Sequence, residues 1–223
     1  MRIIFDLDGT LIDSAPDLCH AANRMLKALF DAPPIPVQTF ATFIGQGLPK
    51  QLERSLRHAG IAEPSEEQFQ QALETFKRFY GEEPAKRTIV FDGVREALDA
   101  LKVQGAAMAV CTNKSEDLAW KALKGLNLAQ YFDALVGGET LPVRKPHPAP
   151  LHECARRLGE AAGPVFYVGD SETDEAAAHA AGYPLLLYTG GYSKKPLEEI
   201  NAAARFDHFS ELPGLIQRLH AEA

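Results

Sequence analysis

The sequence predicts an α/β protein: a doubly wound, mostly parallel sheet with a helical module inserted after the first strand. Three observations carry that expectation. From about residue 85 to the end, short apolar runs alternate with helix-like stretches, the rhythm of strands joined by right-handed helical crossovers. Several of the runs are continuously apolar rather than alternating, which marks strands covered on both faces. The stretch 15–84, by contrast, is helix-rich and holds no convincing core strand.

The first strand is RIIFDL, interrupted by Asp6 and Asp8 before Gly9 ends the run. Three helical segments follow, PDLCHAANRMLKALF, LPKQLERSLRHAG and PSEEQFQQALETFKRFYG, punctuated by Pro33, Pro34, Pro36, Gly45, Gly47, Pro64 and Pro84. Linkers near 13–16 and 81–86 would divide the chain into a core of residues 1–14 and 85–223 and an inserted module of residues 15–84. Insertion at an exposed loop leaves both units foldable. The second half then reads as helix VREALDALKVQ, strand AAMAVCT, helix SEDLAWKALKGL, strand FDALVG, helix PAPLHECARRLG, strand VFYVGD, helix SETDEAAAHAAG and strand PLLLYT. Three of these helices end near a glycine, a common stop signal.

The chain has 223 residues, 46% of them hydrophobic and 24% charged, enough for a sizeable core under a polar surface. Its net charge of −7 argues against a nucleic-acid partner, which a basic stripe would serve better. An anionic substrate must then be attracted locally, by a metal or a few cations. Cys19, Cys111 and Cys154 are odd in number and widely spaced, so neither a disulfide framework nor a paired-thiol zinc site is expected. No apolar run approaches the roughly 20 residues that span a bilayer, and the chain starts directly with a strand. A soluble, cytoplasmic protein with reduced thiols is the expectation.

Ligands of open α/β sheets bind beyond the carboxyl ends of the strands. Asp6, Asp8, Gly9 and Thr10 follow the first strand; Thr112, Asn113 and Lys114 follow the second; Lys145 lies in RKPHP after the third; Asp170 and Asp174 lie in GDSETD after the fourth. Each acid alone reads as a turn former or a helix cap, and a lone lysine as a solvated charge. Together they place four carboxylates on one edge, which would repel one another without a cation. Oxygen donors without a cysteine or histidine cluster favour Mg²⁺ over zinc, and Mg²⁺ points to a phosphate ligand.

FDLDGT, the Thr112 strand end, Lys145-Pro and GDSETD, in that order, resemble the four motifs of the haloacid dehalogenase superfamily of phosphatases. The resemblance covers essentially the whole chain, implies a Rossmann-like core, and likens the insert to that superfamily's C1-type cap. FDLDGTLIDSAPDL, IGQGLP, VGGETLPVRKPHPAPL and YTGGYSKKPLEEI resemble the branch that hydrolyses 2-phosphoglycolate, although neighbouring sugar-phosphate phosphatases share much of this wording.

Carried over position by position, the resemblance implies Asp6 as the nucleophile that forms an aspartyl-phosphate, and Asp8 as acid and then base. It implies that Asp8 has the higher pKa and that Asp6, beside metal and lysine, stays ionised. The two-residue spacing lets both carboxylates share one strand face. Asp6, the Asp8 main chain and Asp170 would hold Mg²⁺, with Asp174 either a ligand through water or an orienting group. Thr112, the Asn113 amide and Lys145 would hold the phosphoryl oxygens, and Gly9 would let the chain turn beneath them. Thr10 and Ser14 shape that turn.

In the insert, GQGLPK (45–50) is the candidate contact loop: its glycines permit close approach, and Lys50 or Arg54 could meet a substrate carboxylate. The same residues also read as a helix corner with solvated cations, and the two readings stand level. The expected activity is Mg²⁺-dependent hydrolysis of a small phosphorylated metabolite, first 2-phosphoglycolate, with another sugar or nucleotide phosphate or a phosphomutase reaction as alternatives. The dehalogenase branch lacks an acid at the position of Asp8, and a scaffold protein would not need the full set. Neither a nucleic acid nor a membrane is an expected partner, and the chain is expected as monomer or homodimer.

Overall fold

The computed structural model describes residues 1–83, 85–159 and 163–221, so Pro84, expected in the second linker, lies outside the described residues. Eight strands and nine α-helices follow in chain order among those residues. The first strand, β1 (Arg2–Phe5), is followed by β2 (Ile12–Asp13) and four helices, α1 (Ala15–Phe30), α2 (Val37–Ala41), α3 (Leu48–His58) and α4 (Glu66–Glu82). After β3 (Ile89–Val90) come α5 (Val94–Val103), β4 (Ala107–Cys111), α6 (Glu116–Gly125), β5 (Ala134–Val136) and α7 (Ala149–Arg157). The chain ends with β6 (Val165–Gly169), α8 (Glu172–Ala181), β7 (Leu185–Tyr188), β8 (Ala204–Phe206) and α9 (Leu212–Ala221).

The main sheet has the order β5-β4-β1-β6-β7-β8, and every pair in it is parallel. Winding runs outward from β1 through β4 to β5, then returns to the other side for β6, β7 and β8. Ligands gather where winding reverses, and here that point is the carboxyl end of β1. Register makes the edge level: Phe5 pairs with both Val110 and Val168. Asp6 is thus level with Cys111 and Gly169, and Thr112 and Asp170 emerge one residue beyond it.

Both faces of the sheet are covered, which accounts for the continuous apolar runs. Ile3 and Phe5 pack with Leu98, Leu101, Leu123, Leu212 and Ile216 on one face. Ile4 and Tyr167 pack with Leu151, Cys154, Ala177 and Ala178 on the other. A third cluster joins α1 to α4 through Met25, Leu26, Phe40, Leu52, Leu56 and Phe76. A Ser65 capping box opens α4, where the Ser65 side chain accepts from the Gln68 N–H and Gln68 answers the Ser65 N–H.

Three features differ from the sequence expectation. β1 ends at Phe5, so Asp6 and Asp8 lie in the turn beyond it rather than on one strand face, although the Asp6 N–H still donates to Val168 O at 2.8 Å. The chain crosses to the helices and back through a short antiparallel ladder beside the expected linkers, Ile12 with Val90 and Asp13 with Ile89, which no apolar run in the sequence had marked. The sheet gains β8 at its edge, and α9 packs against α5. Of the three β8 residues only Phe206 is buried, so the strand left no apolar run to read.

Candidate active site

Asp6, Asp170 and Asp174 form the centre of the site. One oxygen from each lies within 4.8 Å of the others. Lys145 Nζ enters this cluster, 2.9 Å from Asp6 Oδ1 and 2.8 Å from Asp174 Oδ1, and donates to the Tyr167 hydroxyl oxygen at 2.7 Å. Although burial works against its charge, Asp174 and Asp6 hold the Lys145 ammonium well above the ordinary lysine range.

The three acids differ in how they are satisfied. Asp174 Oδ1 accepts from Lys145 and, at 2.6 Å, from the Tyr167 hydroxyl. Its Oδ2 accepts from the Asp170 and Ser171 N–H groups and, at 2.8 Å, from the Ser171 hydroxyl. Burial pushes its pKa up, but Lys145 and these hydrogen bonds outweigh it and hold Asp174 below the usual carboxylate value. Asp170 accepts from Thr10 Oγ1 and from the Tyr192 N–H, both at 2.7 Å. Burial, then the charges of Asp174 and Asp6, still raises it well above the carboxylate range. Burial likewise pushes Asp6 up to about 7, with Lys145 opposing and Asp174 adding to the rise.

An Asp6 that stays ionised was expected. That expectation set a metal as well as a lysine beside Asp6; with the lysine alone, one ammonium faces three buried acids and burial pushes the Asp6 carboxyl up to about 7. Such a cluster of hard oxygen donors, short of positive charge, fits Mg²⁺. Asp6 and Asp170, with one and two donors, keep lone pairs to hold it, whereas the oxygens of Asp174 are already taken by five donors.

Asp8 does not join the cluster. Its carboxylate accepts from Lys114 Nζ at 2.8 and 3.0 Å and from the Ser14 hydroxyl at 2.5 Å. Lys114 is buried, and Asp8 and Tyr80 raise its pKa despite the opposing effect of burial. Its N–H donates to Thr112 Oγ1 at 3.1 Å, which turns the chain after β4. Asn113 Nδ2 donates to Gly45 O and to Lys145 O, each at 3.0 Å, and so ties the α2–α3 loop to the sheet edge. Gly9 has φ +91° and packs directly on Asp170 and Tyr192.

The loop 45–50 does reach the site: Ile44, Gly45, Gly47, Leu48 and Pro49 line the cavity above Asp6 and Asp8. The two cations expected from it do not. Lys50 pairs with Glu53 at 2.6 Å on the surface, and Arg54 is spent on Phe43 O and Gln46 Oε1. On α3 both project away from the face that carries Gln51 and Leu52 inward. The cations that line the cavity are Lys77, Lys114 and Arg144. Lys114 was named only as a neighbour of Thr112, and Tyr192 and Asp13, joined by the Tyr192 hydroxyl, were not singled out at all. Adjacency to the two motifs was the only signal available for Lys114 and Arg144.

A family model described as haloacid dehalogenase-like hydrolase matches residues 3–187. A phosphoglycolate phosphatase of Cereibacter sphaeroides is 40% identical over 219 residues, covering 98% of this chain and 99% of the relative. One from Thiobacillus denitrificans is 40% identical over 204 residues, covering 91% and 89%. The crystal structure of a predicted phosphoglycolate phosphatase from Haemophilus somnus superposes with a TM-score of 0.90 at 33% identity, covering 97% of each chain.

Proposed function

The chain belongs to the haloacid dehalogenase-like hydrolases, and from that membership we propose a Mg²⁺-dependent phosphatase that converts 2-phosphoglycolate to glycolate and inorganic phosphate. The observation that carries the reading is Lys145 held between Asp6 and Asp174 at 2.9 and 2.8 Å, beside the Thr112–Lys114 turn. The relatives named phosphoglycolate phosphatase support the choice of substrate.

Residues 1–14 and 85–223 act as the core and residues 15–84 as a cap over its edge. Asp6 and Asp170, with the Asp8 main chain, would hold Mg²⁺, and Asp174 orients them through Lys145 and the Ser171 turn. When bound, the ion balances charge on the phosphoryl oxygens. Lys145, Thr112 and the Asn113 amide hold those oxygens in line with Asp6. An Asp6 oxygen attacks phosphorus; the Asp6–phosphorus bond forms as the ester bond breaks, and Asp8, protonated at this step and so released from its ion pair with Lys114, gives that proton to the departing glycolate oxygen. Asp8 then takes a proton from water, whose oxygen bonds to phosphorus as the Asp6–phosphorus bond breaks, releasing inorganic phosphate and freeing Asp6. The helices above the edge keep bulk water from the phosphoryl group.

The free, buried cysteines suit a reducing compartment, which fits a cytoplasmic location. Among the described residues no helix is long and apolar enough to cross a membrane.

Purified protein with Mg²⁺, assayed for phosphate release from 2-phosphoglycolate and a panel of sugar and nucleotide phosphates, tests the proposal. The highest kcat/KM is expected for 2-phosphoglycolate, with activity lost in EDTA and in Asp6→Asn. Turnover by Asp6→Asn would remove the nucleophile assignment, and a sugar phosphate ahead of 2-phosphoglycolate would replace the substrate.

A further inference from the structure

Three buried polar atoms of residues that line one cavity have no hydrogen-bond partner among the described residues: Gln51 Oε1, Tyr80 OH and Asn113 Oδ1. The cavity lies between the helical unit and the sheet edge, has a volume of about 60 Å³, and has Asp6 and Asp8 among its lining. Unpartnered buried polar groups are costly, and three on one wall mark a surface shaped for a ligand.

The chemistry of that wall differs from that around Asp6. Lys114 and Lys145 are the buried lysines of the described residues. Lys145 is committed to Asp6, Asp174 and Tyr167. Lys114 faces the other way, paired with Asp8, its Nζ 4.9 Å from the centroid of the Tyr80 ring. The Tyr80 hydroxyl can donate, and a half-turn of the Gln51 amide presents its NH₂ in place of Oε1. Leu18, Phe76 and Leu118 complete the wall with apolar surface that limits the size of the occupant.

We infer that Lys114, Tyr80 and Gln51 form the subsite for the carboxylate of the substrate's leaving group, while its phosphate lies against Asp6 and Lys145. The inference rests on the phosphatase reading and assigns one buried ammonium to each anionic end of the substrate. It also transfers to Lys114, Tyr80 and Gln51 the role that Lys50 and Arg54 do not reach. Asn113 Oδ1 can only accept, because Asn113 Nδ2 is held by two carbonyls; it marks the competing occupant, a neutral leaving group rich in hydroxyls.

Tyr80→Phe removes the hydroxyl and keeps the ring beside Lys114, so its thermal unfolding should stay close to that of the parent; Gln51→Leu serves as a second variant. Each is assayed with Mg²⁺ on 2-phosphoglycolate, phenyl phosphate and glycerol 2-phosphate. Loss of one hydrogen bond to a charged group should lower kcat/KM for 2-phosphoglycolate about tenfold, mainly through KM, and lower it far less for phenyl phosphate. Inhibition of phenyl phosphate hydrolysis by glycolate should weaken by a similar factor. Equal losses on 2-phosphoglycolate and phenyl phosphate, or the largest loss on glycerol 2-phosphate, would overturn the carboxylate subsite while the phosphatase reading stands. A parent protein inactive on all three esters would overturn the phosphatase reading beneath it.

Discussion

At Gly9 a Cβ would lie 2.5 Å from Asp170 Oδ2 and 2.7 Å from the Tyr192 ring, with the backbone at φ +91°. Any side chain there must displace the Asp170 carboxylate and hold a strained backbone. Gly9→Ala should cost about 1–2 kcal/mol in urea unfolding from the backbone alone, and should weaken Mg²⁺ activation as Asp170 moves. Unchanged Mg²⁺ activation would show that Asp170 is not held by this contact. The glycine after the two aspartates thus serves the site by what it lacks. Asp174 is the reverse case, a residue whose every oxygen is used. The two acids share a motif four residues apart, yet hydrogen bonding separates them into a group free to bind a cation and a group that fixes its neighbours.

Where the chain leaves the sheet and returns, β2 and β3 pair over only two residues each, too few to be rigid alone. Asp17, in the first turn of α1, supplies the missing restraint. Its buried Oδ2 accepts from the Arg87 N–H at 2.9 Å, the Thr88 N–H at 2.8 Å and the Thr88 hydroxyl at 2.7 Å. The acid also suits the positive end of the helix. Asp17→Ala would leave those donors buried and unpaired, at an expected cost of about 3 kcal/mol. Amide exchange at Thr88 should accelerate in that variant; protection equal to that of the parent would mean that the ladder holds the crossing without Asp17. No pattern in the sequence distinguished Asp17 from an ordinary first-turn acid, because its partners are 70 and 71 residues away.

At the scale of the whole molecule, the acid cluster ties stability to pH and to metal. Asp6 rises from 3.8 to about 7 on folding, so between those values the folded chain keeps a proton that the unfolded chain has released. Stability therefore falls as pH rises through that window, and Asp170, also raised, acts in the same direction. Asp174, held low, acts the opposite way, adding stability above its unfolded value and losing it as pH falls through its folded one. In EDTA, the melting temperature should decline between about pH 5 and about pH 8, and saturating Mg²⁺ should remove most of the decline. A melting temperature that climbs over that range in EDTA would contradict the crowding of the three acids. The sequence alone determined the sheet apart from β8, the helical insertion and the edge on which Asp6, Thr112, Lys145 and Asp170 meet, because strand period, apolar runs and motif order are local properties. Only the tertiary structure decided that Asp8 turns to Lys114, that Lys50 and Arg54 face away, and that Tyr80 and Gln51 close the cavity. Those outcomes depend on how α3 and α4 settle over the sheet edge, where contacts join residues far apart in the chain.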